Sequence, residues 1–448
     1  MAKKIIIAGG GASGMCAAIY AARNGADVTI IEKNNVLGKK LSMTGNGRCN
    51  LTNLDMREDC FNAAARTRMK SWLAAFGATE VIRFFRSLGV VVRNEDGYIY
   101  PASGQATTVV TALGNEIRRL GVEVVFEQQV KRIEVNTGGG ISGGADGGNG
   151  ADYGGGADAG NDADYGGGAD DGNGTGYGGH SYVVVTDKGR FYGDAVIMAT
   201  GSLSGPKTTM STGDGYYICR QLGMSIKDTF PALVGFKCER GDGLPAAGVR
   251  SMANVSFYLG TEELAREYGE VQITPEGISG IPVMQASRDI IRLVSEKKPV
   301  YAEVDFFPDH DEKAFEELKQ DMMRFLDKRT LGEFLQGFGN SNINELVLSR
   351  MKLGKSMKMK NISPSMAECI LDSYRKLRFS IIDCNGYQAS QVTTGGVSLG
   401  DLGDHFAYVN DEGIYCIGEL VDVDGRCGGY NLQWAFMSGS IAGTAASM

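Results

Sequence analysis

The segment from Ile5 to Asn53 constrains what this chain can fold into more tightly than any other. An apolar run, Ile5-Ile6-Ile7-Ala8, passes directly into Gly9-Gly10-Gly11-Ala12-Ser13-Gly14. A helical pattern follows (Cys16, Ala17, Ala18, Ile19, Ala21, Ala22) and closes at Asn24-Gly25. A second strand, Val28-Thr29-Ile30-Ile31, then ends on Glu32. Strand, glycine turn, helix, strand and acid in that order predict a dinucleotide-binding unit. Gly9 permits the tight turn, Gly11 lets backbone approach a pyrophosphate, and Gly14 lets the helix pack close to the strand. The helix N-terminus offers free N–H groups to the phosphates. Glu32 can accept hydrogen bonds from both ribose hydroxyls, which disfavours a 2′-phosphate. The residues assigned to the nucleotide here are Gly9, Gly11, Ser13, Gly14, Glu32 and Lys33.

The motif continues past the ribose acid. Gly38-Lys39-Lys40-Leu41 is followed by Thr44-Gly45-Asn46-Gly47-Arg48-Cys49-Asn50. A nicotinamide dehydrogenase needs only the first unit, whereas FAD also needs groups that track a second phosphate, the ribityl chain and the ring. Lys40, Asn46, Gly47, Arg48, Cys49 and Asn50 supply charge, hydrogen bonds and close backbone approach.

On these residues, together with Ile278-Ser279-Gly280 and the stretch 418–443, the chain resembles the BaiN-like (YhiN-type, aminoacetone-oxidase-like) FAD-dependent oxidoreductase family. The resemblance covers the whole chain except one insertion. It implies an α/β fold: a two-dinucleotide-type, Rossmann-like FAD domain split by an inserted β-rich and helical domain. It implies further cofactor contacts from Val130, from Thr200 and Gly201 at the end of the strand Ala195–Ala199, and from Gly418-Glu419, whose carboxylate would meet a ribityl hydroxyl. Asn431 and Leu432 would open a C-terminal helix with its N-terminus on the pyrimidine edge of the ring. Pro275-Glu276 stands where some members of the family carry a His or an aromatic residue, so the substrate does not transfer with the resemblance.

Length and composition fit this outline. The chain has 448 residues, 43% hydrophobic and 22% charged, which suits a soluble protein of two or three domains. No apolar run is long enough to span a bilayer, and no signal peptide is legible, so a cytoplasmic location is expected. The nine cysteines contain no Cys-x-x-Cys pair and are expected to be reduced thiols. Between Gly138 and Gly179 lie 20 of the 65 glycines and seven Asp with no Lys or Arg. Of the net charge of −8, the rest of the chain therefore carries −1, which argues against nucleic-acid or anionic-membrane partners. The segment 138–179 reads as a disordered hairpin insert between strands at Val130–Asn136 and Tyr182–Thr186. The expected division is 1–203 for the first part of the FAD domain, 204–310 for an inserted β-rich domain, 311–378 for an inserted helical domain, and 379–448 for the second part of the FAD domain.

The three His (His180, His310, His405) lie outside the motifs, and no zinc-ligand spacing is present, so a hydrolytic triad or metal centre is not expected. Proton donors must come from turns near the flavin: Tyr430, Cys427 and Arg426 first, then Tyr98, Tyr100 and the Ser279 loop. No second Gly-x-Gly-x-x-Gly follows a strand, so NAD(P)H would dock transiently. The resemblance implies NAD(P)H-dependent reduction of a conjugated C=C bond in a small apolar substrate such as a 3-oxo-4,6-diene steroid. An FAD amine oxidase releasing peroxide and a flavin-bound redox sensor are the alternatives. Oligomeric state is not legible.

Overall fold

The computed structural model describes residues 2–136, 141–142, 180–239, 246–324 and 329–448. At its centre, Lys4–Ala8 pairs in parallel with Asp27–Glu32 on one side and Ala195–Met198 on the other. Glu123–Phe126 extends one edge, and Asp411–Cys416 extends the other in parallel with Ala195–Met198. The short strand Ala407–Tyr408 closes that edge in antiparallel sense. Ile5, Ile6 and Ile7 are all fully buried, because helices cover both faces of this sheet. The strand at 411–416 arrives more than two hundred residues after its neighbour at 195–198, as the split-domain reading requires.

A close helical contact joins the two parts of this domain. The helix Ala12–Arg23 lies against the C-terminal helix Tyr430–Ser447 through small residues on both faces, Ser13, Ala17 and Ala21 on one and Gly439 and Gly443 on the other. A Cβ on Gly443 would stand 2.4 Å from the Ala17 carbonyl oxygen, and one on Gly439 would stand 2.5 Å from that of Ser13. The backbones therefore touch directly. The Cys16 thiol donates to the Phe436 carbonyl at 3.3 Å in the same seam.

Between the two parts sits the inserted body. Phe236–Cys238, Arg250–Leu259, Glu262–Thr274, Gly277–Gly280, Val300–Asp305 and Leu377–Cys384 close into a six-stranded barrel. Phe236, Val255, Phe257, Ala302 and Phe379 fill it. The helix Ile281–Ser295 packs beside it, with Val283, Ala286, Ile290 and Val294 inward. Four shorter helices, Glu312–Met323, Leu331–Leu335, Ser341–Arg350 and Pro364–Asp372, continue the same apolar core, with the Phe307 ring 4.6 Å from that of Phe338. The barrel and the helices thus share one interior, although the sequence divides them at 310. The strand Leu377–Cys384 pairs with Val300–Asp305 and Phe236–Cys238. The barrel therefore takes in residues beyond 378, where the sequence places the return to the FAD domain, and Leu377 begins a strand where a helix is expected. Ile226–Ala232 and Val392–Val397 form a two-stranded antiparallel ribbon carrying the chain into and out of the insertion.

Val130–Asn136 and Tyr182–Thr186 pair as anticipated, and Ile141–Ser142 adds a short strand to the hairpin. Apart from those two residues, the segment 138–179, with its reading as a disordered insert, lies outside the described residues. No described helix is long and apolar enough to cross a membrane.

The helix seam yields a contrast between two glycines. Gly443→Val must push the paired helices apart and should destabilise the protein by about 1–3 kcal/mol. Gly114→Ala, in a helix with no atom within 4 Å of the added methyl, should stabilise it by about 0.5–1 kcal/mol. Urea unfolding of the two variants against the parent checks both signs.

Candidate active site

The parallel strands end at a cleft of about 910 Å³ that runs from the first glycine turn to the inserted body. Gly9 makes the turn with a φ of +110°, in a place where a Cβ would lie 2.4 Å from the Ala199 carbonyl oxygen. A Cβ on Gly11, by contrast, would meet no atom within 4 Å, so the turn presents bare backbone to open space. The helix that follows has no side-chain cap, and its first N–H groups stay available to an anion. Glu32, 7% exposed, is fixed beside this turn. One of its oxygens accepts the Gly10 N–H at 2.8 Å, and the other accepts the Asn34 backbone and side-chain N–H groups at 2.8 and 2.7 Å.

At the other end of the cleft, Lys40 and Glu419 form an ion pair at 2.5 Å. The Thr393 N–H, from the ribbon that leads into the insertion, donates to the second Glu419 oxygen at 3.1 Å. Gly418 is tied to the C-terminal helix twice, donating to Ser438 Oγ at 3.0 Å and accepting from Trp434 Nε1 at 2.9 Å. Two buried polar atoms of cleft residues, Thr200 Oγ1 and Asn50 Oδ1, have no partner among the described residues. Desolvated oxygens of this kind are costly unless a bound molecule supplies hydrogen bonds. Bare backbone at one end, an acid beside it and orphaned acceptors further along suit an elongated, phosphate-bearing ligand.

Gly9, Gly11, Ser13, Glu32, Lys33, Lys40, Asn46, Asn50, Val130, Thr200, Gly201, Glu419, Asn431 and Leu432 line this single cleft, as do Arg426 and Cys427. Lys33 holds Asp214 and Thr212, each at 2.9 Å. Gly14 and Gly418 stand behind the wall and shape it. The loop 44–50 departs from the expected picture. Positive φ values at Gly45, Asn46, Gly47 and Cys49 (56°, 54°, 83° and 61°) coil it so that its residues face different ways. Arg48 turns outward to pair with Glu95 at 2.6 Å and lies over the Tyr100 ring at 4.3 Å. Gly47 also lies off the cleft wall, and Cys49 is fully buried, its thiol pushed up to about 12 by desolvation.

The expected proton donors separate in the same way. Tyr430 does not line the cleft: its hydroxyl donates to the Asp55 carbonyl at 3.1 Å, and its ring meets Phe61 edge-on. Arg426 lines the cleft and pairs with Glu267 of the barrel at 2.6 Å, where burial raises the Glu267 carboxyl. Cys427 lines it with a thiol pushed up to about 12 by burial. Tyr98 and Tyr100 also line it, whereas Ser279 does not. The turn is braced by Asn431, which exchanges hydrogen bonds with Gly425 at 2.8 and 2.9 Å, and by Arg288 of the inserted helix, 2.5 Å from Asp424. None of the three His lines the cleft, and the described residues contain no cluster of His, Cys, Asp and Glu able to hold a metal ion.

The inserted body contributes lining residues that sequence reading missed, among them Leu233, Ile281 and Gln285, with Gln388, Gln391 and Val392 from the returning chain. The helix bearing Ile281 and Gln285 follows Gly280 and starts at Ile281-Pro282, which reads as a turn. Its apolar spacing at 283, 286, 290 and 294 was the available signal.

Burial of the Cys427 thiol has a direct consequence. Thiolate is the reactive form, so iodoacetamide at pH 7.5 should modify Cys427 at least about 100-fold more slowly than a free thiol of ordinary pKa near 8.5. Peptide mass mapping over a time course checks this.

Comparison with known proteins places the whole chain. The family model described as HI0933-like protein Rossmann domain matches residues 3–149 and 175–445. Over 99% of both chains, the sequence is 35% identical to a 3-dehydro-bile acid delta(4,6)-reductase of Clostridium scindens. It is 25% identical to a ribosomal RNA dihydrouridine synthase of Haemophilus influenzae, over 97% of this chain and 96% of that one. Among solved structures, a 3-ketosteroid-delta4-(5alpha)-dehydrogenase from Rhodococcus jostii RHA1 superimposes with a TM-score of 0.50 at 14% identity, covering 100% of this chain and 97% of that one, which is a likeness of fold. The chain belongs to the HI0933-like Rossmann family.

Proposed function

We propose that this protein is an FAD-dependent oxidoreductase that reduces a conjugated C=C bond in a 3-oxo-4,6-diene steroid of the bile-acid type. The observation that carries the reading is the composition of the single cleft, with a nucleotide cradle along one side and an apolar, partly amide-lined roof along the other. FAD, when bound, supplies hydride-transfer chemistry. The residues present suit it: the bare backbone at Gly11 and the uncapped helix for the pyrophosphate, Glu32 for the adenosine ribose, Glu419 with Lys40 for the ribityl chain, and the unpartnered Thr200 and Asn50 oxygens for its hydroxyl and N–H groups. Gly429 begins the C-terminal helix without a side-chain cap, so its free N–H groups would favour negative charge on the reduced ring.

The roof residues Leu233, Ile281 and Val392 form an apolar wall suited to a steroid nucleus, and the relative at 35% identity is named for a reaction of that class. Arg426 and Cys427 are the proton-bearing groups of the turn that face the cleft, and we assign proton delivery to this pair. Arg426 is kept in place by Glu267, and Cys427 is kept a thiol by burial. We assign NAD(P)H as the reductant. With no second dinucleotide turn legible in the sequence, it would enter the same cleft before the substrate and leave before the substrate binds.

Anaerobic titration of the FAD-loaded protein with NADH and NADPH should bleach its yellow absorbance, and a 3-oxo-4,6-diene steroid added next should restore the colour as the dienone is consumed. Peroxide release from aminoacetone without dienone reduction would move the assignment to an amine oxidase. Reduction of uridine in ribosomal RNA with no action on the dienone would replace the substrate class.

Glu32→Ala removes a charged acceptor from the ribose site. At about 1.5–3 kcal/mol for a hydrogen bond to a charged group, it should weaken FAD binding about 10- to 100-fold, as measured by fluorescence titration of the apoprotein. His310→Ala, away from the cleft, should leave that affinity unchanged.

A further inference from the structure

The turn that enters the C-terminal helix uses its most evident polar groups on the protein itself. Arg426 is paired with Glu267, and the Tyr430 hydroxyl donates to the Asp55 carbonyl. The Cys427 N–H also has a partner: it donates to Gln285 Oε1 at 3.0 Å. Gln285 stands in the second turn of the helix Ile281–Ser295, lines the cleft, and belongs to the inserted body rather than to the nucleotide fold. A backbone N–H only donates, so the end of the amide that meets Cys427 must be the carbonyl oxygen. Flipping the amide would set two donors against each other. The NH₂ end is thereby left as a fixed donor, and it has no partner among the described residues. Ile281, one turn earlier on the same helix, and Leu233 are apolar residues that line the same cleft.

The chemistry of a conjugated ketone calls for such a group. Hydride adding to the carbon remote from the carbonyl forms a C–H bond there, and the displaced π electrons end on the carbonyl oxygen as an enolate. A proton then adds at the carbon next to the carbonyl and the C=O bond is restored. The hydride, which carries both electrons, would come from FAD reduced by NAD(P)H, and the proton from the cleft. Negative charge thus appears on one oxygen in the transition state, and a preorganised N–H aimed at it lowers the barrier more than it strengthens substrate binding.

We propose that the Gln285 side-chain NH₂ is the donor that polarises the substrate carbonyl, held in register by the Cys427 N–H. The proposal rests on the enone-reductase reading above. It also assigns the inserted helix a chemical role, since the donor comes from the roof and its orientation from the nucleotide fold. Because the amide is a donor that carries no charge, it suits a neutral ketone and gives no advantage to a protonated amine.

Two variants and two measurements test it on the full-length, FAD-loaded protein with androsta-4,6-diene-3,17-dione as the probe. Gln285→Leu removes both ends of the amide. Gln285→Glu keeps an acceptor for the Cys427 N–H and removes the donor, so a merely structural role would survive it. In the oxidised protein, isotope-edited infrared spectroscopy of the probe labelled with ¹³C at C3 should show the carbonyl stretch lowered in the parent and returned toward its solution value in both variants. In single turnover with prereduced protein, which leaves NAD(P)H out of the measurement, both should reduce the probe about 10²–10³-fold more slowly at neutral pH. Lowering the pH toward the ordinary carboxyl range of about 4–5 should return part of the lost rate in Gln285→Glu alone, because the neutral acid can donate. A parent protein that reduces the probe while Gln285→Glu keeps both the rate and the stretch would overturn the assignment of Gln285. A parent that is bleached by NAD(P)H but acts on no unsaturated ketone would overturn the enone reading, and this proposal with it.

Discussion

The direct backbone contact between the first helix and the last holds the molecule together as a binding device. Residues 12–23 border the cleft at its first glycine turn through Ala12 and Ser13, and residues 430–447 border it through Asn431, Leu432 and Trp434. Gly439 and Gly443 bring the two helices close enough that no side chain separates them. Close packing of this kind leaves little room for sliding or tilting. The distance between the two ends of the cleft is therefore set by a seam that meets the cleft wall at Ser13. The ties from Gly418 to Ser438 and Trp434 extend the same rigidity to the acid that follows it.

A second level of organisation is electrostatic. Two ion pairs cross between the nucleotide fold and the inserted body in opposite senses, Arg288 to Asp424 and Arg426 to Glu267. The first is nearly dry, with the Arg288 and Asp424 side chains 9% and 1% exposed. A buried pair of this kind contributes little net stability against an apolar replacement, but loss of one partner leaves a desolvated charge behind. Its value lies in geometry: it admits one relative position of roof and turn and penalises others. The hydrogen bond from Cys427 to Gln285, one residue beyond Arg426 on the turn and three before Arg288 on the helix, depends on the same alignment.

The nucleotide half of the molecule was legible because its physics is local. A glycine turn between an apolar strand and a small-residue helix has few structural solutions, and the strand ending at Cys416 carries its own glycine and acid. The roof was less legible. The barrel strand at Leu377–Cys384 follows directly on a helical segment and pairs with residues nearly eighty positions away, so no short-range pattern marks where the insertion ends. The helix Ile281–Ser295 was hidden behind a proline at its start, although its apolar spacing was present. Within the site, Arg48 shows a different limit: a run of positive φ values decides which way each side chain of a loop points, and residue type alone cannot reveal that. Tyr430 sits in the right turn, yet its hydroxyl is drawn to a carbonyl that only the folded chain brings near.

The split sheet also imposes an order on biosynthesis. The strand Asp411–Cys416 and the helix Tyr430–Ser447 leave the ribosome only after the whole barrel has done so. Until then, the small-residue face of the first helix and the open edge of Ala195–Met198 have no native cover. The barrel, whose strands lie within one continuous stretch, can close during that interval, whereas the nucleotide fold must wait for contacts about 420 residues apart in sequence. A chain arrested before residue 411 would thus present a finished roof over an unfinished floor, with an unpaired strand edge of the kind that chaperones and aggregates both recognise.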